Sequence, residues 1–401
     1  MTMIGCGRLT TCVLLLAGTL ALASCGGGGT AADESSGTTT NTGMSAQALL
    51  GEKIFADTSL SATGQQSCAS CHDKDHADAP PNALAVQLGG PLGNLQGVRN
   101  APSIRYLAKN TAFFFAADGT PTGGFFWDGR AASLAAQAAG PFLNPLEMAM
   151  PDKASVVAKL ASASYAAEFK QLYGNLIFND VEGAYQRMTL AIQQYELEEA
   201  RFNAYTSKYD AFLRGTARLS DQELRGLSLF NSPVKGNCLA CHPSARGSDG
   251  SMPLFTDFTY DNLGLPRNPE IGANADASYY DLGLCQRADL TTRTDLCGAF
   301  KVPSLRNVAV RQAYFHNGYF KSLKEAVTFY VQRDTNPEKW YPLNADGSVA
   351  KFNDLPAQYH RNVNTTEVPY NRKLGDAPAL TDSEVDDVVA FLNTLTDGYT
   401  Q

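Results

Sequence analysis

Two short stretches carry residues whose types and spacing could do chemistry: Cys68-Ala69-Ser70-Cys71-His72 and Cys238-Leu239-Ala240-Cys241-His242. Two thiols three residues apart on one turn can each add to a vinyl group of a single porphyrin, and the histidine that follows then faces the iron. That is the spacing of c-type haem attachment. It occurs twice in a chain with only 5 histidines, so two covalent c-type haems are expected. A zinc site or a redox disulfide at each pair fits less well. A thioredoxin-like pair wants a βαβ setting that the flanking sequence lacks, and a shared Cys2His2 zinc site needs its histidines at another spacing.

The elements that must position these motifs are repeated. Leu50-Gly51-Glu52-Lys53-Ile54-Phe55 precedes the first motif and Arg225-Gly226-Leu227-Ser228-Leu229-Phe230 the second, each after a polar start at Ser45 or Ser220. Ser220 with Glu223 forms a capping box. A Gly-x-x-x-Phe helix leading into a haem-binding turn is how a cytochrome c domain begins. Each half also ends in an apolar-periodic segment: Val181, Tyr185, Met188, Ile192 and Tyr195 in the first, and Val385, Val388, Val389, Leu392 and Leu395 in the second. Strand signals are sparse and short. The fold class expected is therefore mainly α, with two cytochrome c-like domains (45–215 and 216–401), each binding one haem within long loops.

Ahead of them, Arg8 and the apolar run 12–23 read as an export signal (1–24), too short to span a bilayer. Leu22-Ala23-Ser24-Cys25 has the look of a lipobox, with Cys25 as the lipidated first residue of the mature protein; cleavage of a plain signal peptide nearby is the alternative. The Gly/Ser/Thr-rich stretch 25–44 reads as a flexible tether. A periplasmic protein anchored to the outer membrane only by its N-terminal lipid is expected. Of 9 cysteines, Cys6 and Cys12 leave with the signal, Cys25 carries lipid and four hold haem. Cys285 and Cys297 remain, most simply as a disulfide in an oxidising compartment. A net charge of −8 without basic clusters argues against nucleic acid.

Between and after the motifs the chain runs Arg99-Asn100-Ala101-Pro102-Ser103, Phe126-Trp127-Asp128-Gly129-Arg130, Ser133-Leu134-Ala135-Ala136-Gln137 and Gly140-Pro141-Phe142-Leu143-Asn144-Pro145-Leu146-Glu147-Met148. Further on come Phe300-Lys301-Val302-Pro303-Ser304-Leu305-Arg306-Asn307-Val308, Tyr314-Phe315-His316-Asn317-Gly318 and Ser322-Leu323-Lys324-Glu325-Ala326-Val327. From Leu49 to Leu395 the chain closely resembles the bacterial dihaem cytochrome c peroxidase family, which includes MauG-type enzymes.

Reducing peroxide requires an iron with an open position, a group that moves a proton between the two oxygens, and a source of two electrons. The resemblance implies that His72 is proximal to the peroxidatic haem, with Glu147 as distal acid/base, Gln137 as the amide that orients peroxide, and Pro141 crowding the distal side. The local sequence alone reads Glu147 instead as a carboxylate bonded to backbone amides after Pro145. Trp127, one of 2 tryptophans, matches the family residue between the haems and is expected to relay electrons; large core packing is the alternative.

Two departures from the peroxidase pattern stand out. No histidine lies in 92–99, where many dihaem peroxidases hold a distal ligand, so a first haem that is five-coordinate without prior reduction is expected; His76 reads as a surface residue. Counting from His316, the family's methionine ligand to the second haem falls on Tyr330, so the resemblance implies His242 and Tyr330 as that iron's ligands, the axial tyrosine of MauG-type enzymes. A hard phenolate in place of a thioether lowers the haem potential. Packing beside the haem is the alternative for Tyr330. Asn100 matches a family calcium ligand, with main-chain oxygens near Arg311 and Ala313 completing the shell.

The function expected is reduction of hydrogen peroxide, with electrons from a small cytochrome c or cupredoxin entering through the His242 haem. A MauG-like oxidase acting on aromatic residues of a partner protein, and an electron carrier without turnover, are the other readings.

Overall fold

The computed structural model describes residues 43–400. The export signal, Cys25 and nearly all of the tether lie outside the described residues. Helices dominate, and most begin where a polar side chain satisfies first-turn amides, the helix that starts at Tyr165 being an exception. α1 (Ala46–Ala56) starts at Ser45, whose Oγ accepts from the Ala48 amide at 3.2 Å. α2 (Cys68–Cys71) is the first haem motif, and α3 (Leu134–Leu143) starts at Ser133. α4 (Lys153–Ala161), α5 (Ala166–Tyr173), α6 (Val181–Glu198) and α7 (Lys208–Leu213) follow. α8 (Asp221–Asn231) has the capping box expected of Ser220 and Glu223. α9 (Leu323–Gln332) and α10 (Asp382–Asn393) complete the set. Among the described residues the sheet is confined to three antiparallel pairs of two-residue strands: β1 (Leu88–Gly89) with β2 (Leu95–Gln96), β3 (Phe114–Phe115) with β4 (Pro121–Thr122), and β5 (Tyr260–Asp261) with β6 (Phe300–Lys301).

The sequence repeat is a repeat in space. α1 crosses α6, and α8 crosses α10. At each crossing the glycine of the repeat meets backbone: a Cβ on Gly51 would run into the carbonyl of Ala191, and one on Gly226 into that of Asp387. Glycine is required there because no side chain fits. Leu50, Ile54 and Phe55 then pack on Tyr185, Met188, Ile192 and Tyr195 in one apolar cluster. Phe230 packs on Val385, Val388, Phe391 and Leu392 in another. Tyr209, Phe212 and Leu213, ahead of residue 216, join this second cluster.

Residues 43–400 nevertheless make one compact unit. Arg99 bridges the halves, donating to Asp128 at 2.6 Å and to Asp281 at 2.6 Å. Arg306 reaches Asp210 on α7 at 2.7 Å, with both side chains buried. Cys285 and Cys297 form the expected disulfide.

Candidate functional site

Both Cys-x-x-Cys-His motifs open into one cavity of ≈ 650 Å³. The two turns share one construction. The His72 amide donates to the Cys68 carbonyl at 2.9 Å, and the His242 amide to the Cys238 carbonyl at 2.8 Å. Cysteine, cysteine and histidine are thereby brought to one side of each turn. His72 Nδ1 lies 3.1 Å from the Asp78 carbonyl and His242 Nδ1 2.7 Å from that of Phe255. A ring N–H held by a carbonyl fixes the tautomer and leaves Nε2 free as a ligand, the arrangement of iron-binding histidines. Burial holds both imidazoles neutral, below the ordinary histidine value. The four motif cysteines are unpaired, and among the described residues no three His, Cys, Asp or Glu side chains converge as a metal site. These residues fit haem rather than zinc.

Gln137 and Pro141 lie four residues apart on α3, hence on one face, and both line the cavity. Proline lacks an N–H, so the helix is locally open at this point. The chain turns after Asn144 and brings Glu147 to the same cavity. Glu147 Oε1 accepts from the Asn144 side chain at 2.9 Å, and no backbone amide reaches the carboxylate. The local reading of Glu147 as an amide-binding carboxylate is therefore not what the fold contains. Burial raises the pKa of Glu147; the Arg130 charge and the Asn144 hydrogen bond oppose this without reversing it.

Trp127 sits where the halves meet. Its indole N–H donates to the Asn100 carbonyl at 2.7 Å, and its own carbonyl accepts from the Lys301 amide at 2.8 Å. The ring meets His316 edge-on at 6.5 Å, and His316 stacks on Phe300 at 3.4 Å. Phe126, just before it, has φ 66°, a conformation that costs a bulky residue about 1–3 kcal/mol and recurs at functional sites. Arg130 covers the Phe126 ring at 3.7 Å.

At the second motif, Leu323, Ala326, Val327 and Tyr330 present one face of α9 to the cavity. Tyr330 lies beside Phe315 and Tyr370, ring centres 5.6 and 6.0 Å away. Burial, with Asp261 and the motif cysteines adding to it, pushes the phenol well above its ordinary range. Loss of its proton there calls for a cation in the cavity. His76 bonds Asp73 at 2.8 Å at the surface and takes no part in the cavity.

The residues expected at a calcium site face other groups. Asn100 Oδ1 and the Ala313 carbonyl accept hydrogen bonds from the Arg311 guanidinium, and the Arg311 carbonyl accepts from the Tyr314 hydroxyl. Two of these oxygens face the chain's own cation and the third a hydroxyl, so this donor set does not fit calcium.

Three cavity residues escaped sequence reasoning. Glu196 is buried beside Cys68 and has an Oε2 without a partner; burial, with Asp78 nearby, raises its pKa to about 8. It falls at the apolar spacing of α6, the signal that could have found it. Lys301 is lowered to about 7 by burial, opposed by Asp128. Tyr370 sits in a loop whose sequence carries no signal.

Two haem-type turns on one shared cavity define a dihaem cytochrome c-like protein. The family model for di-haem cytochrome c peroxidase matches residues 45–218. The chain is 37% identical over 366 residues to the methylamine utilization protein MauG of Paracoccus denitrificans, covering 88% of this chain and 89% of that one. It is 31% identical to the cytochrome c551 peroxidase of Nitrosomonas europaea over 284 residues, 70% of this chain and 71% of that one. The crystal structure of the diheme peroxidase BthA from Burkholderia thailandensis superposes with a TM-score of 0.82 at 40% identity, covering 88% of this chain and 86% of that one. The chain belongs to the di-haem cytochrome c peroxidase family.

Proposed function

We propose that the protein is a dihaem peroxidase that reduces hydrogen peroxide to two waters, taking up two electrons and two protons. Covalent attachment is through Cys68 and Cys71 at one haem and Cys238 and Cys241 at the other. The observation that carries this reading is the asymmetry of the cavity: the Glu147 carboxyl lies near the first motif's cysteines, whereas the Tyr330 phenol lies near the second's.

When bound, the haem irons supply the open coordination position and the redox capacity. The chain's residues do the rest. Glu147 moves the proton from one peroxide oxygen to the other, a role suited to a carboxyl whose pKa burial has raised. Gln137, whose side chain makes no hydrogen bond to protein among the described residues, orients the peroxide, and Pro141 narrows the space beside it. Trp127, bonded to both halves, relays electrons towards the first haem. His242 and Tyr330 would hold the second iron. The reductant is a small cytochrome c or cupredoxin.

The experiment is steady-state consumption of peroxide by the dihaem protein with a reduced small cytochrome, alongside the spectroscopic ligand set of each haem. Rapid donor oxidation with a five-coordinate first haem supports the reading; two six-coordinate haems in every redox state would sink it.

Tyr330 and the similarity to MauG favour a second reading, in which the oxidised protein takes its electrons from aromatic residues of a partner protein. Slow turnover with every small donor, together with a long-lived spectral change after peroxide is mixed with the diferric protein, would select it.

We also propose export to the periplasm and anchoring through Cys25, with the Cys285–Cys297 disulfide in support. Among the described residues no helix is long and apolar enough to cross a membrane. Fractionation of the wild type and of Cys25→Ser tests the anchor, which predicts release of the variant from the membrane fraction.

A further inference from the structure

Three oxygens converge at the junction of the halves, and a guanidinium fills the place between them. Arg311 Nη2 donates to Asn100 Oδ1 and, at 3.1 Å, to the Ala101 carbonyl, while Nε donates at 3.3 Å to the Ala313 carbonyl. Asn100 and Ala101 come from the first half, Ala313 from the second.

Arg311 is half-buried on the cavity wall, and other interior arginines differ from it. Arg306 pairs with Asp210, Arg99 with Asp128 and Asp281, and Arg333 with Asp334. Among the described residues Arg311 has no ion pair. A guanidinium keeps its charge at neutral pH. A buried charge without a counter-ion is costly unless polar atoms solvate it. Here neutral amide and carbonyl oxygens do so, and such oxygens are the ligands a hard metal ion would use.

The same cluster is tied to the relay. Asn100 accepts the Trp127 indole N–H on its carbonyl, takes the Arg311 guanidinium on its side chain, and donates its own amide to the His316 carbonyl at 2.7 Å.

We propose that Arg311 is a built-in cation that takes the place of calcium between the two halves, so that the holoprotein neither holds nor needs that metal. The tie is a side chain of the chain itself. A chelator cannot remove it, and it brings one positive charge to the neighbourhood of Trp127 where a calcium ion would bring two. This tie does not depend on which reductant the enzyme uses.

The test begins with the purified dihaem protein, exhaustively dialysed against EGTA and assayed for metal by mass spectrometry. Expected are calcium far below one per chain and a haem spectrum and Tm that neither EGTA nor millimolar calcium moves. Stoichiometric calcium, or loss of Tm or a haem spectral change on chelation, would overturn the proposal. Arg311→Ala removes the cation and uncovers its oxygens. Its Tm is expected to fall by roughly 5 °C and to recover largely on adding calcium. A variant with unchanged Tm and no response to calcium would also overturn it. Should Arg311→Ala not fold, the chelation result on the native protein decides.

Discussion

Trp127 donates its indole N–H to the main-chain oxygen of Asn100 at 2.7 Å. The bond holds the ring against His316 at the junction of the halves, where an electron passing between the haems would cross. Trp127→Phe keeps the packing but removes both the donor and the easily oxidised indole. The buried Asn100 carbonyl then lacks that partner, at about 1–3 kcal/mol. Stopped-flow mixing should show peroxide still reacting at the first haem while the second haem responds at least about tenfold more slowly, a loss of about 1.4 kcal/mol in the transfer barrier.

Glu147→Gln keeps the shape and the contact with Asn144 but cannot carry a proton. Turnover is expected to fall by about 10²–10⁴-fold, with haem content unchanged. Because burial raises the Glu147 pKa, the carboxylate is lost as pH falls through a value above the ordinary 4.5. The wild-type rate should therefore decline on the acid side within that window, and the residual rate of the variant should not.

Tyr330→Met exchanges a hard oxygen for a soft sulfur at the second haem. Its midpoint potential should rise, as spectroelectrochemical titration of the two haems would show, because the thioether favours the reduced iron. An unchanged potential would mean that Tyr330 only packs beside that haem.

Glu196 makes stability depend on pH. Its folded pKa, raised to about 8 against an ordinary 4.5, means that between these values the folded chain keeps a proton that the unfolded chain has lost. Stability from this group is greatest at acid pH and declines as pH rises through that window. Denaturant titrations of Glu196→Gln should lack this part of the decline.

Gly51→Ala and Gly226→Ala test the crossings. Either Cβ must displace a backbone carbonyl of the facing helix, and overpacking of this kind costs about 1–3 kcal/mol. Thermal unfolding should report the loss for each variant, whereas Ala substitution at the exposed Glu52 should leave Tm nearly unchanged.

Much of the fold was legible in the chain. The α1 and α8 starts at Ser45 and Ser220, the apolar spacing of α6 and α10, and the pairing of Cys285 with Cys297 all follow from local chemistry: caps, period and the count of cysteines. The Gly-x-x-x-Phe repeat marked two equivalent helices, although only the packed structure shows that each glycine faces the backbone of a helix more than a hundred residues away. Among site residues, Gln137 and Pro141 could be placed on one face by helical spacing. Glu147 could not be placed that way, because the turn after Asn144 decides where its carboxyl goes. Arg311 was read for its main-chain oxygen alone, since nothing local says that its guanidinium turns back to the Ala313 carbonyl and across to Asn100.

By itself the sequence determined where each haem turn lies and which side chains it offers, because two thiols and a histidine within five residues share one local turn and need no distant neighbour. Tertiary structure alone decided what surrounds those turns: that both open into one cavity, that Trp127 is held between the halves, that Glu196 is buried with an unmet oxygen, and that a guanidinium occupies the junction. Those features depend on contacts between residues far apart in the chain, where burial and hydrogen bonding set a group's charge and reach, and no local pattern encodes them.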